Sequence, residues 1–142
     1  MRSFTAATHI AAPPQHVWDV QLRLADWADW DPNIARAEGS LAKGGAITLY
    51  TRRPGEHKIR KFNLNVIEWQ PPTRLVLVGG MPLGLFSGTQ SHVITADGSG
   101  SSFVITEAFT GLFARLFRIP DLQPGFSAYA DGLRQAAEAS AP

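Results

Sequence analysis

The chain has 142 residues and 44% apolar side chains. That is the size and make-up of one domain, residues 1–142, able to bury roughly 68–70% of its unfolded surface without a covalent staple. It has no cysteine, which excludes disulfides, thiolate nucleophiles and zinc–thiolate centres. Thirteen Lys/Arg against twelve Asp/Glu lack the basic excess of a nucleic-acid-binding domain, so no nucleic acid is expected as a partner.

The opening MRSFTAATHIAAPP has no apolar h-region, so no signal peptide is expected. No apolar run reaches the roughly 18 residues that would span a bilayer. RLVLVGGMPLGLF, the strongest such stretch, is broken by three glycines and a proline. With the absence of cysteine, this suits a cytoplasmic protein.

In chain order, residues 3–10 alternate, with Phe4, Ala6, Thr8 and Ile10 on one face, and predict a strand. Pro13 and Pro14 suit the first turn of the helix that follows, QHVWDVQLRL. A second short helix, ADWADW, should stop at Asp31, because the residue before a proline is pushed out of the helical region. From 34 to 110 the pattern changes to period two. Six more strands are predicted, at 34–38, 46–52, 59–69, 73–80, 87–96 and 102–110. Gly44-Gly45, Pro54-Gly55, Pro71-Pro72, Gly79-Gly80 and DGSGS supply the turns between them, so successive strands form antiparallel hairpins. The glycines and proline at 79–84 suggest a mobile loop at the sheet edge.

After Gly111 the helical period returns. Phe113, Leu116 and Phe117 form one stripe, interrupted by Pro120 and Pro124. Phe126, Tyr129, Leu133, Ala136 and Ala137 form a second, with Asp131, Arg134 and Glu138 opposite. The small residues at the chain end should fray. The resulting order is β–α–α–β6–α, an α+β fold. Its seven-stranded antiparallel sheet curls around a long C-terminal helix. One helix cannot fill the concave side, which predicts a ligand cavity.

Three segments resemble the START-like (SRPBCC) superfamily with its helix-grip fold, and within it small bacterial proteins of the polyketide cyclase/dehydrase-like kind. IAAPPQHVWDV (10–20) resembles the family's strand, Ala-Pro, helix opening. LADWADWDPNI (24–34) resembles its aromatic-x-x-Trp-x-Pro signature, and FVITEAFTG (103–111) its last strand. Strand count and final helix agree, so the resemblance spans nearly the whole chain. It implies the fold. The superfamily holds lipid carriers, metabolite binders, aromatase/cyclases and ring-hydroxylase subunits, so it does not imply one activity.

In DWADWDPNI, Asp29, Asp31 and Asn33 have the 1-3-5 spacing of a calcium loop. Its glycine and glutamate positions, however, hold Ile34 and Ser40, so no metal is expected. Trp27 and Trp30 share a helix face and should cover the open end of the sheet. Asp26 and Asp29 should cap helical turns or remain solvated. The resemblance places this segment near the cavity mouth, where Trp30 would touch ligand.

On the last strand Phe103, Ile105, Glu107 and Phe109 share a face, which the resemblance turns toward the cavity. A carboxylate between phenylalanines needs a partner and should have a raised pKa. Glu107 is therefore a candidate acid, base or ligand anchor, or else pairs with Arg115 or Arg118. His92, with Gln90 and Ile94 on its face, is the candidate partner across the cavity. Related sequences often carry histidine where this one has Ile105, a departure that favours binding over catalysis.

The rest of the lining is expected from Leu49, Phe62, Leu64 and Leu77 on the sheet and from Phe126 and Tyr129 on the last helix. TRRPGEHKIRKF (51–62) holds five of the Lys/Arg residues, as a solvated hairpin or as a basic lip for an anionic head group or membrane surface. The leading expectation is a binder of a mainly apolar small molecule, lipid, aromatic or polyketide-like. The alternative is a cyclase/dehydratase-type enzyme moving protons through Glu107 and His92. A filled core without a cavity is the third reading. No cofactor is expected, and the further partner to consider is a second copy in a weak homodimer.

Overall fold

The computed structural model describes residues 2–140. The expected fraying of the chain end falls on 141–142, outside that range. Seven strands form one sheet: β1 (Arg2–Ile10), β2 (Ile34–Gly39), β3 (Ala46–Thr51), β4 (Arg60–Gln70), β5 (Arg74–Met81), β6 (Phe86–Asp97) and β7 (Gly100–Thr110). Their order is β1-β7-β6-β5-β4-β3-β2, and every neighbouring pair is antiparallel. Each strand from β2 to β6 thus pairs with the next, as short turn-forming connections require. β1 closes onto β7, so first and last strands lie side by side.

Four helices accompany the sheet: α1 (Pro14–Leu22), α2 (Trp27–Trp30), α3 (Leu112–Leu116) and α4 (Gln123–Ala139). Pro14 opens α1 in the first turn, as its missing N–H allows. Pro124 does the same for α4, so it begins the last helix instead of interrupting a helical stretch. The α4 stripe buries Tyr129, Ala130, Leu133 and Ala137. Its outer side carries the ion pairs of Arg134 with Asp131 and Glu138.

The buried apolar residues form two clusters. The larger joins Val17 and Trp18 of α1, Trp27 of α2, Leu75 and Leu77 of β5, Phe103 and Ile105 of β7, and Tyr129 and Leu133 of α4. The smaller joins Phe4, Phe109 and Ile119, with Phe86, Ala114, Leu122 and Phe126 against them. Phe126 packs against both. β3, β5 and β7 all end at the same side of the sheet, where the smaller cluster lies. That side is the open end of the sheet.

Gly132 marks where α4 meets α2. A Cβ there would run into the Trp30 carbonyl oxygen and would sit 3.0 Å from the Trp30 ring. Replacing a helical glycine by alanine ordinarily stabilises by about 1 kcal/mol. Here the expected sign is reversed. Gly132→Ala should lower stability by about 2 kcal/mol through overpacking against a backbone atom. Chemical denaturation of the variant measures it, and a more stable variant would refute this packing.

Candidate functional site

Cross-strand register sets what faces the concave side. Leu77 lies opposite Gln90 and Leu75 opposite His92; Gln90 lies opposite Glu107 and His92 opposite Ile105. Directly opposed residues share a face, so Leu77, Gln90 and Glu107 form one row, and Leu75, His92 and Ile105 the row below. Phe4 of β1 lies opposite Glu107 and extends the upper row.

A chain of buried and part-buried hydrogen bonds crosses these rows. Gln21 Nε2 donates to the Tyr129 hydroxyl at 2.8 Å and to His92 Nδ1 at 2.6 Å. His92 Nε2–H donates to Gln90 Oε1 at 2.7 Å, and Gln90 Nε2 donates to Glu107 Oε2 at 2.9 Å. This pattern assigns His92 the neutral Nε2–H tautomer. Burial enforces the same state: His92 is fully inaccessible, and desolvation pulls its pKa from 6.5 down to about 3. Desolvation pushes Tyr129 and Glu107 up, each opposed by its glutamine donor. Gln21 Oε1 and Trp30 Nε1 are sealed from solvent with no partner among the described residues.

The expected direct His92–Glu107 couple is therefore replaced by one with Gln90 between. A glutamine amide orients both neighbours but does not readily pass a proton. The alternative partners fail too, since no ion pair joins Glu107 to Arg115 or Arg118 among the described residues. Glu107 Oε1 makes no hydrogen bond there either, its only bond being the Gln90 contact through Oε2. The glycine of β6 lets the Glu107 carboxylate and the Phe109 ring pack closely against that strand. A Cβ on Gly88 would meet Oε1 at 2.8 Å and the Phe109 ring at 3.1 Å.

The lining residues expected from sequence divide at this level. Leu77, Phe103 and Ile105 are completely buried in the larger cluster, as is His92. There the expected cavity is filled. Tyr129 packs edge-on against Trp27 and His92 at 5.2 Å and against Trp30 at 5.0 Å. The physical reason is that three helices, not α4 alone, occupy the concave side: α1 delivers Gln21 and α2 delivers Trp27. Trp27 and Trp30 point into this interior instead of roofing the open end. Leu49, Phe109 and Tyr129 are buried, while Leu64, Trp30 and Phe126 are only partly covered. Phe62 shares the face of Leu49 but is 48% exposed, at the rim. Toward the open end Phe86 stacks on Phe109 at 5.6 Å and approaches Phe117 at 5.9 Å.

Sequence reading missed Gln21 and the burial of Asp31. Gln21 sits on the apolar stripe of α1, three and four residues after Trp18 and Val17, and a polar residue on such a stripe is the signal that could have found it. Asp31 is 3% exposed and accepts the Asn33 N–H at 2.9 Å, forming a local turn rather than a metal loop or a solvated carboxylate. Its burial raises its pKa from 3.8 to about 6. Asp26 and Asp29 are exposed, and the Asp26 side chain makes no capping bond.

The family model described as polyketide cyclase/dehydrase and lipid transport matches residues 1–140. No curated protein matches the sequence. Among solved structures, TTHA0849 from Thermus thermophilus is similar at 18% identity and a TM-score of 0.77, covering 99% of this chain and 100% of that one. The di-domain ARO/CYC StfQ from the steffimycin biosynthetic pathway is similar at 16% identity and 0.71. That match covers 98% of this chain but 50% of StfQ. Ara h 8.0201 is similar at 16% identity and 0.65, covering 97% and 95%. At these identities the structures establish the helix-grip fold.

Proposed function

Since the chain belongs to the polyketide cyclase/dehydrase and lipid transport family, we propose that it binds a mainly apolar small molecule, lipid, aromatic or polyketide-like, in the upper half of the groove. Glu107 sets the ligand's orientation. The observation that carries this reading is the position of that carboxylate. It stands between two apolar clusters, one oxygen held by Gln90 and the other without a hydrogen bond among the described residues, packed over Gly88. Such a site offers an apolar wall and a single oriented acceptor, the combination that small-molecule sites use. Phe86, Phe109 and Phe117 supply the aromatic wall, and a ligand burying apolar area against them gains about 25 cal/mol per Å². A ligand with one hydroxyl or N–H group fits the acceptor. The buried Gln90–His92–Gln21–Tyr129 chain keeps Glu107 in one rotamer and so pre-organises the site.

The test compares two probes differing by one hydroxyl, phenanthrol and phenanthrene, followed by tryptophan fluorescence. The expected result is saturable one-to-one binding of both, with phenanthrol favoured roughly tenfold by a charge-assisted hydrogen bond. In Glu107→Gln that preference should shrink severalfold while phenanthrene binding persists. Absence of saturable binding by either probe, or a preference untouched by the substitution, would overturn the reading.

A second reading, proton transfer in a cyclase/dehydratase-type reaction, is favoured by the raised pKa of Glu107 alone. It gives His92 no part in the proton transfer, because that ring is inaccessible and neutral. A triketone probe whose dehydrative cyclisation proceeds equally fast with parent and Glu107→Gln would exclude it.

A further inference from the structure

Three connections meet at the open end of the sheet: the β3–β4 hairpin, the β5–β6 loop at Pro82–Gly84, and the segment from Gly111 through α3 to α4. The last two are clamped together. Phe113 N–H donates to the Leu85 carbonyl at 2.8 Å. Gly111, at φ +101°, lies so close that a Cβ would meet the Gly84 and Leu85 carbonyl oxygens at 2.6 and 2.7 Å. The result is one apolar tip. Leu83 is 94% exposed, Leu116 68% and Leu112 60%. Leu83 also holds a left-handed backbone conformation, φ +62° and ψ 23°, which a leucine adopts only under strain. Strain retained to hold a leucine in water points to a contact made outside the chain.

The charge around the tip says what that contact is. The three connections and the first two residues of β4 carry seven of the thirteen Lys/Arg residues, Arg52, Arg53, Lys58, Arg60, Lys61, Arg115 and Arg118, against only Glu56 and Asp121; the rest of the chain carries six Lys/Arg against ten Asp/Glu. Arg53 and Arg60 share Glu56. Lys58, Lys61, Arg115 and Arg118 make no ion pair among the described residues. A nearly neutral protein is thus strongly dipolar, with its positive pole around its most exposed leucines. An acidic protein surface would satisfy the cations and an apolar one the leucines. An anionic bilayer satisfies both, taking the leucines below its head groups and the cations at their phosphates.

We propose that the open end is a docking surface for anionic phospholipid bilayers, with Leu83, Leu112 and Leu116 inserted and Lys58, Lys61, Arg115 and Arg118 against the lipid phosphates. The surface stands independently of what the groove binds, since Glu107 takes no part in it.

The test is co-sedimentation of the full chain with phosphatidylcholine vesicles, with and without one-third phosphatidylglycerol, at low and high salt. Binding is expected only with phosphatidylglycerol and should weaken at least tenfold at high salt. Leu83→Gly should weaken it at least fivefold while its thermal midpoint stays level or rises, because glycine relieves the left-handed backbone. A Lys58→Glu/Lys61→Glu double variant should abolish binding, and Glu107→Gln should leave it unchanged. No sedimentation with either vesicle, equal binding to both, or binding insensitive to Leu83→Gly would each overturn the proposal. So would self-association of the lipid-free parent that Leu83→Gly abolishes, since the tip would then pair two copies.

Discussion

An Asp31→Asn variant is expected to be about 3 kcal/mol more stable than the parent above pH 6 and to lose that advantage below about pH 4. Asp31 is almost inaccessible, and its pKa is raised from 3.8 to about 6 by desolvation, against the opposing pull of the Asn33 N–H. Between those values the folded chain keeps a proton that the unfolded chain has released. Stability therefore falls as pH rises through the window and stays lower above it. Asparagine keeps an oxygen for the Asn33 N–H and carries no charge to desolvate. His92 acts in the opposite sense. Its pKa falls from 6.5 to about 3, so below pH 6.5 the unfolded chain takes a proton that the folded chain refuses. Stability is lost on acidification, by about 5 kcal/mol when pH 3 is reached. In the parent the two effects largely cancel between about pH 4 and 6, and the raised Glu107 adds to the Asp31 side. The variant should instead lose up to about 1.4 kcal/mol per pH unit from pH 6.5 downward, less where the raised Glu107 opposes it. Urea unfolding of both proteins across this range decides it. Parallel curves through the window would mean that Asp31 is solvated in solution.

Trp27→Ala is expected to cost about 3–5 kcal/mol. The indole is 1% exposed, packs edge-on against Tyr129 at 5.2 Å and lies over His92 at 6.5 Å. Its Nε1 also donates to the Gln21 carbonyl at 2.8 Å. Removing it leaves a void next to the buried polar chain and deprives a buried carbonyl of its donor. Trp27→Phe should cost far less, about 1–2 kcal/mol, because it restores most of the packing and loses the hydrogen bond. Both are measured by denaturant midpoint at constant slope. Equal costs for the two variants would place the stabilisation in the N–H bond; a negligible cost for alanine would remove Trp27 from the core. The alanine variant should also shift the ring resonances of His92, which rests on Trp27 and is held by Gln21.

Several features of the site could be read along the chain, because strand alternation is local. Phe103, Ile105, Glu107 and Phe109 had to share a face of β7, and Gln90, His92 and Ile94 a face of β6. The rise in the Glu107 pKa followed from placing a carboxyl between phenylalanines. The final helix followed from a stripe at period 3.6, and Pro13-Pro14 marked the start of α1. All seven strands lie within two residues of their expected limits at either end, since turn residues punctuate them.

What remained hidden depends on groups that are neighbours only after folding. Gln90 bonds Glu107 because β6 and β7 pair in a register that puts the two directly opposite; slipped by one residue, that pair would face opposite sides of the sheet. Gln21 reaches His92 across 71 positions of sequence, and Tyr129 across 108. Asp31, at the end of α2, is buried, although its neighbours Asp26 and Asp29 stay in water. The interior filled because α1 and α2 pack beside α4, a matter of volume that no periodicity records. The amino-acid order by itself determined the elements, their faces and the antiparallel order, through contacts spanning a few residues. Only the tertiary structure decided which polar groups meet and which lose water, because burial and pKa depend on everything packed around a group.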